Sequence, residues 1–379
     1  MMTPDEAQPA GGQPRPTPLR AVHERLGATM TGFAGWLMPL RYGSEIAEHR
    51  AVRSAAGLFD LSHMGEIAVT GPGADAALDY ALTGHMSALK PGRARYTMIC
   101  APDGGVLDDL IVYRLADTEF LVVANAANTA AVAGALRERA ASYPAQVDDK
   151  TSDYALIAIQ GPHAGRILQS LTDTGLDQVR YYAGQPAVVA GREVLLARTG
   201  YTGEDGFELY APNAQAVDLW RSLLTATIAA DGSPAGLACR DTLRLEAGMA
   251  LYGHELSRHT NPYQAGLGKV VRLARESGRD FVGRDALQQL SEQAVERTLV
   301  ALKGSTRRAA RAGYTVHQGA DGTAVGTITS GALSPTLGYP IALAYLDAAL
   351  AEPGTVVEVD IRGKKEQFEV TSAPFYRRN

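Results

Sequence analysis

Cysteine is nearly absent from this sequence: Cys100 and Cys239 are the only two in 379 residues, and no CxxC pair occurs. That excludes a disulfide framework and a cysteine-based zinc site, and it favours free thiols in a reducing, cytoplasmic compartment. Long apolar runs are missing too. The one long uncharged stretch, 322–346, is interrupted by Pro335, Pro340 and several glycines, so turns and short strands are expected there rather than a membrane helix. There is no excess of positive charge: 36 Lys plus Arg stand against 41 Asp plus Glu, a net −5. Nothing global therefore draws the chain to nucleic acid or to an anionic membrane. The opening MMTPDEAQPAGGQPRPTP lacks the apolar core of a signal peptide and the acid-poor, Arg-rich character of a transit peptide, so residues 1–16 are expected to be a disordered tail. No fixed-period repeat, P-loop or GxSxG elbow is present, which removes solenoids and several nucleotide-binding and hydrolase classes.

What is present belongs to a folded, multi-domain chain. Hydrophobic residues at 46% and charged ones at 20%, with 16 Tyr, 7 Phe and 2 Trp, match globular composition. At roughly 150 residues per domain the length predicts two or three domains, divided here at 17–150, 151–290 and 291–379. Strand-like runs at 66–70, 107–113, 120–124, 154–159 and 207–210 lie between helical patterns, and several follow one another directly. That order predicts an α+β fold with antiparallel sheets. The clearest helix is 214–229, with Asn213 as its expected cap and Val217, Trp220, Leu224 and Ile228 as its apolar stripe. The charged segment 272–297 leads into short β-rich pieces at 298–302, 324–330 and 356–361, the pattern of a small β-barrel or sandwich.

Two motifs are better read as scaffold than as sites. GPGADA (71–76) fits G-x-G-x-x-A, but Pro72 removes an amide donor and no acidic residue follows at the right distance. A plain strand-to-helix turn is expected. His254 and His259 are five apart instead of four, so on a helix they diverge by about 140° and cannot share one zinc.

Six blocks, read in order, carry a resemblance: FAGWLMP (33–39), GLFDLSHMGE (57–66), GGVLDDLIV (104–112), RTGYTGEDGFE (198–208), GLACRDTLRLEAG (236–248) with LYG (251–253), and TSGALSPTL (329–337) ahead of PFYR (374–377). Together they resemble the glycine cleavage T-protein, or aminomethyltransferase, family from Thr17 to the end. The resemblance implies a three-domain cloverleaf around a central folate site, its first two domains interleaved in sequence and its last a small β-barrel. It further implies tetrahydrofolate as co-substrate, the lipoylated H-protein of the glycine cleavage system as partner, and no metal. The reaction would pass the methylene of an aminomethyl group on the lipoyl arm to tetrahydrofolate, leaving ammonia and the reduced lipoyl thiol. A non-catalytic folate-binding or regulatory protein of the same superfamily is the alternative. The folate half of a sarcosine-type oxidase fits less well, since no flavin fingerprint is present.

A carboxylate suits proton handling and positioning beside a reduced pterin. In VLDDLIV (106–112) neighbouring side chains of a strand leave opposite faces, so only one of Asp108 and Asp109 can face a ligand. The family's catalytic aspartate aligns with Asp109, leaving Asp108 a structural role; composition alone would make both acids surface decoration. Glu208 aligns with the pterin-binding glutamate, with Glu204 and Asp205 as local competitors. Tyr201 and Tyr181 offer flat faces for the pterin or benzoyl ring. Arg240 aligns with a folate-contacting arginine and shares a helix face with Arg244, and Asn125 aligns with another site position. Tyr96 and Met64 are expected to line the cavity. Arg377 is expected at the folate glutamate tail or the lipoyl entrance.

Overall fold

The computed structural model describes residues 13–273, 280–318 and 322–378. Two sheets and a closed barrel organise them, with a small three-stranded sheet beside them. The six-stranded sheet runs Gly184–Val189, Arg192–Ala197, Gly206–Pro212, Tyr154–Gln160, Gly57–Asp60 and Ser233–Pro234. Its ladders are antiparallel except the last, which is parallel. The five-stranded sheet runs Arg93–Cys100, Val106–Ala116, Glu119–Ala124, Gly65–Thr70 and Gln146–Asp149, antiparallel throughout. The six-stranded sheet thus draws strands from both sides of residue 150, and the segment 65–149 supplies the other sheet whole. Residues 1–12 of the expected tail lie outside the described residues. Arg15–Pro16, by contrast, is no loose tail: it pairs in parallel with Trp36 and Leu37, and the Arg15 guanidinium covers the Trp36 ring at 4.4 Å.

Each sheet buries one face against helices. Ala216–Ala229 packs on the six-stranded sheet through Leu219, Trp220 and Leu223. Its expected stripe is rotated: Thr227 is buried and Ile228 is exposed. At about 100° per residue Thr227 falls within about 20° of Trp220, whereas Ile228 lies about 80° away. Asn213 does not cap this helix either; its amide donates to the Ser152 carbonyl at 2.5 Å. Ala74–Ala81 and Thr129–Ala140 cover the five-stranded sheet, with Leu78, Val132 and Leu136 against Leu110, Val112 and Val122. In GPGADA, residues 71–73 form the strand-to-helix turn and Ala74 opens the helix.

The inner faces of the two sheets meet in a third apolar cluster that includes Phe59, Leu61, Tyr113, Val123, Leu156, Tyr210 and Leu243. Alternation along Val106–Ala116 explains the placement: Leu110 and Val112 look toward the helices, Ile111 and Tyr113 toward the opposite sheet.

The six barrel strands close between Arg297–Gly304 and Lys364–Thr371. The stretch 322–346 is not turns and short strands but a long hairpin, Thr323–Leu333 against Pro340–Asp347. The barrel buries Val325, Ile328, Ala342, Ala344 and Leu346 inside, which the Ser, Thr and Gly content hid. Gly326 is required there, since a Cβ would meet the Tyr345 carbonyl at 2.3 Å. Leu245, on the helix Leu237–Glu246, seats the barrel through Ala301, Ala332, Ile341 and Leu343. His254 and His259 lie in a loop, not on a helix, and His254 Nδ1 meets the Thr329 carbonyl at 2.8 Å. Among the described residues no helix is long and apolar enough to cross a membrane, and no cluster suits a metal ion.

Candidate functional site

The strand Val106–Ala116 brings two carboxylates into the protein interior. Asp108 is fully buried and Asp109 half-buried, so neither decorates an exposed strand. Asn125, at the end of the adjacent strand, bridges them: its Nδ2 donates to Asp108 Oδ1 and to Asp109 Oδ1, both at 2.8 Å. Asn128 and the Asn125 backbone amide add donors to Asp108 at 2.7 and 3.0 Å. The Tyr96 hydroxyl donates to Asp109 Oδ2 at 3.0 Å. Burial raises both acids: Asp108 reaches about 7, pushed further by the Asp109 charge, while Asp109 rises against the opposing pull of Tyr96 and Asn125. Two carboxyls this close cannot both ionise freely, so the pair is disposed to hold or release a proton near neutrality.

Glu208 faces the same inter-sheet space from the strand Gly206–Pro212, where Phe207 turns the other way into the helix-covered core. Thr199 Oγ1 donates to Glu208 Oε2 at 2.5 Å, and the Tyr113 hydroxyl lies 3.5 Å from the same oxygen. Burial raises this carboxyl as well. Arg240, on the helix Leu237–Glu246, lies 4.7 Å over the Tyr201 ring and is close enough to Glu208 to lower that acid's pKa. No ion pair or hydrogen bond of the Arg240 guanidinium is seen among the described residues. Arg244, one turn on, is instead committed to Glu255 at 2.9 Å and Ser330 at 2.7 Å.

Tyr201 therefore offers a ligand one ring face at most, and its hydroxyl is already donated to the Ala250 carbonyl at 2.5 Å. Met64 is half-buried and packs against the inter-sheet cluster that holds Tyr113. Tyr181 is exposed, edge-on to Tyr182 at 4.8 Å, and Arg377 is exposed, with no hydrogen bond or ion pair of its side chain seen among the described residues. The structure thus joins Asp109, Asn125 and Tyr96 directly, sets Glu208, Arg240 and Tyr201 across from them, and leaves Tyr181 and Arg377 outside. Glu204 and Asp205 turn away from the site to Arg53 and Arg198, at 2.8 and 2.6 Å.

Comparison with known proteins completes the picture. Residues 19–275 match the GCVT N-terminal domain, and residues 297–377 match the glycine cleavage T-protein C-terminal barrel domain. The chain belongs to the glycine cleavage T-protein family. A Streptomyces avermitilis protein named aminomethyltransferase is 60% identical over 369 residues, which cover 96% of this chain and 98% of that protein. A Bacillus subtilis aminomethyltransferase is 42% identical, covering 96% and 99%. The crystal structure of glycine cleavage system aminomethyltransferase T from Bartonella henselae is 37% identical, with a TM-score of 0.90 over 96% of this chain and 98% of that one.

In this T-protein family member two further tyrosines complete the inter-sheet space. Tyr113 could have been found from the strand alternation that pairs it with Asp109 and Ile111 on one face. Tyr182, half-buried against the inter-sheet cluster, has its phenol raised by burial and by Tyr181, Glu208 and Asp109. His63 is a third buried group, with Nδ1 unpartnered, held down to about 3 by burial and the nearby Arg240.

Proposed function

We propose that this chain is the tetrahydrofolate-dependent aminomethyltransferase of glycine cleavage and that the Tyr96–Asp109–Asn125 constellation carries its chemistry. The methylene carbon passes from the aminomethyl group on the lipoyl arm of the H-protein to tetrahydrofolate, giving 5,10-methylenetetrahydrofolate, ammonia and dihydrolipoyl-protein. The donor set fits a reduced folate. Glu208 can accept two hydrogen bonds from an amino-pyrimidine edge, and the uncommitted Arg240 fork can take a pterin heteroatom or a carboxylate.

Asp109 is the group that touches the reacting amine. Ionised, it accepts a hydrogen bond from the folate N10 region, orients that amine and balances the positive charge that develops as it attacks. Asn125 and Tyr96 hold the carboxylate in place. Asp108, on the far side of Asn125, anchors the bridge rather than meeting the ligand. Met64 and the free face of Tyr201 supply apolar walls, Tyr181 flanks the benzoyl end, and Arg377 lies toward the folate tail or the lipoyl entrance. The two buried, free thiols suit the reducing cytoplasm.

The observation that supports this reading most is the half-buried Asp109, raised by desolvation yet supplied with two donors that favour its ionised form. The test supplies tetrahydrofolate and aminomethyl-loaded H-protein and follows methylenetetrahydrofolate and ammonia together. Matched formation of both is expected. Folate binding without ammonia release would instead mark a non-catalytic folate-binding protein.

A further inference from the structure

Arg53, on the helix Glu45–Ser54, is almost buried and holds five groups from three other parts of the chain. Its Nε and Nη2 donate to Glu246 Oε2 at 3.0 and 2.9 Å, and Nη2 also reaches the Leu243 carbonyl at 3.4 Å. Its Nη1 donates to Glu204 Oε1 and to the Thr202 carbonyl, each at 2.8 Å. The guanidinium carbon lies 4.0 Å from the centroid of the Tyr376 ring, a cation–π contact that arginine makes alongside its hydrogen-bonding fork.

These contacts tie together three segments around the candidate site. Thr202 and Glu204 flank the turn at Gly203, whose φ is +81°, in the loop that presents Tyr201 to Arg240. Leu243 and Glu246 belong to the helix that carries Arg240. Tyr376 immediately precedes Arg377, and its backbone amide donates to the Glu246 carbonyl at 2.9 Å. On the other side of the loop Arg378 lies 3.6 Å from Asp205. One buried cation therefore sets the spacing between the Tyr201 loop, the Arg240 helix and the C-terminal segment.

We infer that Arg53 is a positioning residue for folate binding, acting through Glu204 and Tyr376 to hold the Tyr201 loop and the C-terminal segment against the Arg240 helix. The inference rests on the folate reading above, and it assigns Arg53 no contact with the ligand. Arg53→Lys keeps the charge opposite Glu246 but cannot span Glu246, Thr202, Glu204 and the Tyr376 ring together. Glu204→Gln removes the loop's charged contact with Arg53 while the Thr202 carbonyl and Glu246 stay in place, so it serves where Arg53 variants fold poorly.

The experiment measures tetrahydrofolate Kd, KM for folate, kcat and Tm for the full chain and for Arg53→Lys, Glu204→Gln, Tyr376→Ala and the Glu204→Gln/Tyr376→Ala pair. Folate Kd and KM are expected to rise about 5- to 20-fold in each single variant with kcat changed less than about threefold, and the pair is expected to lose less than the product of its singles. A lowered Tm with folate Kd unchanged, or strictly multiplicative losses, would overturn the positioning role. If the unaltered chain itself fails to bind tetrahydrofolate, the folate reading falls, and that outcome is read from the parent protein alone.

Discussion

Asp108 and Asp109 leave opposite faces of one strand and are nonetheless joined at a single amide, with Asn125 Nδ2 2.8 Å from an oxygen of each. The bridge favours ionised Asp109 against the burial that raises it. Since the ionised form is the one that accepts a hydrogen bond from the folate amine, activity is expected to fall as pH drops through that raised value. Asn125→Ala removes a donor to the charged form and should move the acid limb of the kcat/KM profile to higher pH. A pH–rate profile with its acid limb unmoved would contradict the bridge's role.

Asp109 also carries a stability cost whose sign is fixed by the same shift. A carboxyl with a folded-state pKa above its unfolded value of about 3.9 favours folding when protonated, and that advantage is lost as pH rises through the folded value. Asp109→Asn is neutral at every pH, and the Tyr96 hydroxyl can accept from its amide. Thermal unfolding at pH 8 should therefore give a higher Tm for Asp109→Asn than for the parent, with turnover reduced. An equal or lower Tm would count against a desolvated, ionisable Asp109.

Arg240 has the Tyr201 ring beneath it and, among the described residues, no ion pair, whereas Arg244 on the same helix is fully engaged. Replacing Arg240 by Gln should weaken tetrahydrofolate binding about 10- to 100-fold, the range of a hydrogen bond to a charged group. Arg240→Lys should recover only part of this, because it lacks the planar fork. Calorimetric titration of folate into both variants distinguishes this from simple charge dependence, under which lysine would restore full affinity.

Glu246 receives donors from His49, Arg53, Ser334 and Thr336 and is held down to about 2 despite its burial. A depressed acid stabilises the fold above its unfolded value, about 4.3, and that contribution is lost as pH falls through 4 toward 2. Glu246→Gln leaves Arg53 with the Glu204 carboxylate as its remaining anionic partner and should cost about 1–3 kcal/mol in urea unfolding near pH 7. The difference between variant and parent should shrink below about pH 4, where the parent carboxylate is itself being protonated.

The strand runs, the barrel and the Asp108–Asp109 pair were legible because alternation and β-rich spacing are local signals. Asn125 could be named from the family pattern, but its grip on both acids depends on a ladder that joins separate strands. Arg53 and Glu246 are 193 residues apart and gave no local cue at all. The Ile228 stripe and the Asn213 cap were misread for a different reason: helix phase and capping are decided by what the helix packs on, and Ser152 competes for the Asn213 amide. The long hairpin in 322–346 was hidden because Ser, Thr and Gly are interspersed with its buried Val325, Ile328 and Leu346.

The most direct measurement compares the parent chain with Asp109→Ala in single-turnover reactions of tetrahydrofolate with aminomethyl-loaded H-protein, alongside folate Kd for both. The expected result is a rate lower by about 10²–10⁴ with folate affinity held within a few-fold. Near-normal turnover in Asp109→Ala would remove this carboxylate from the chemistry.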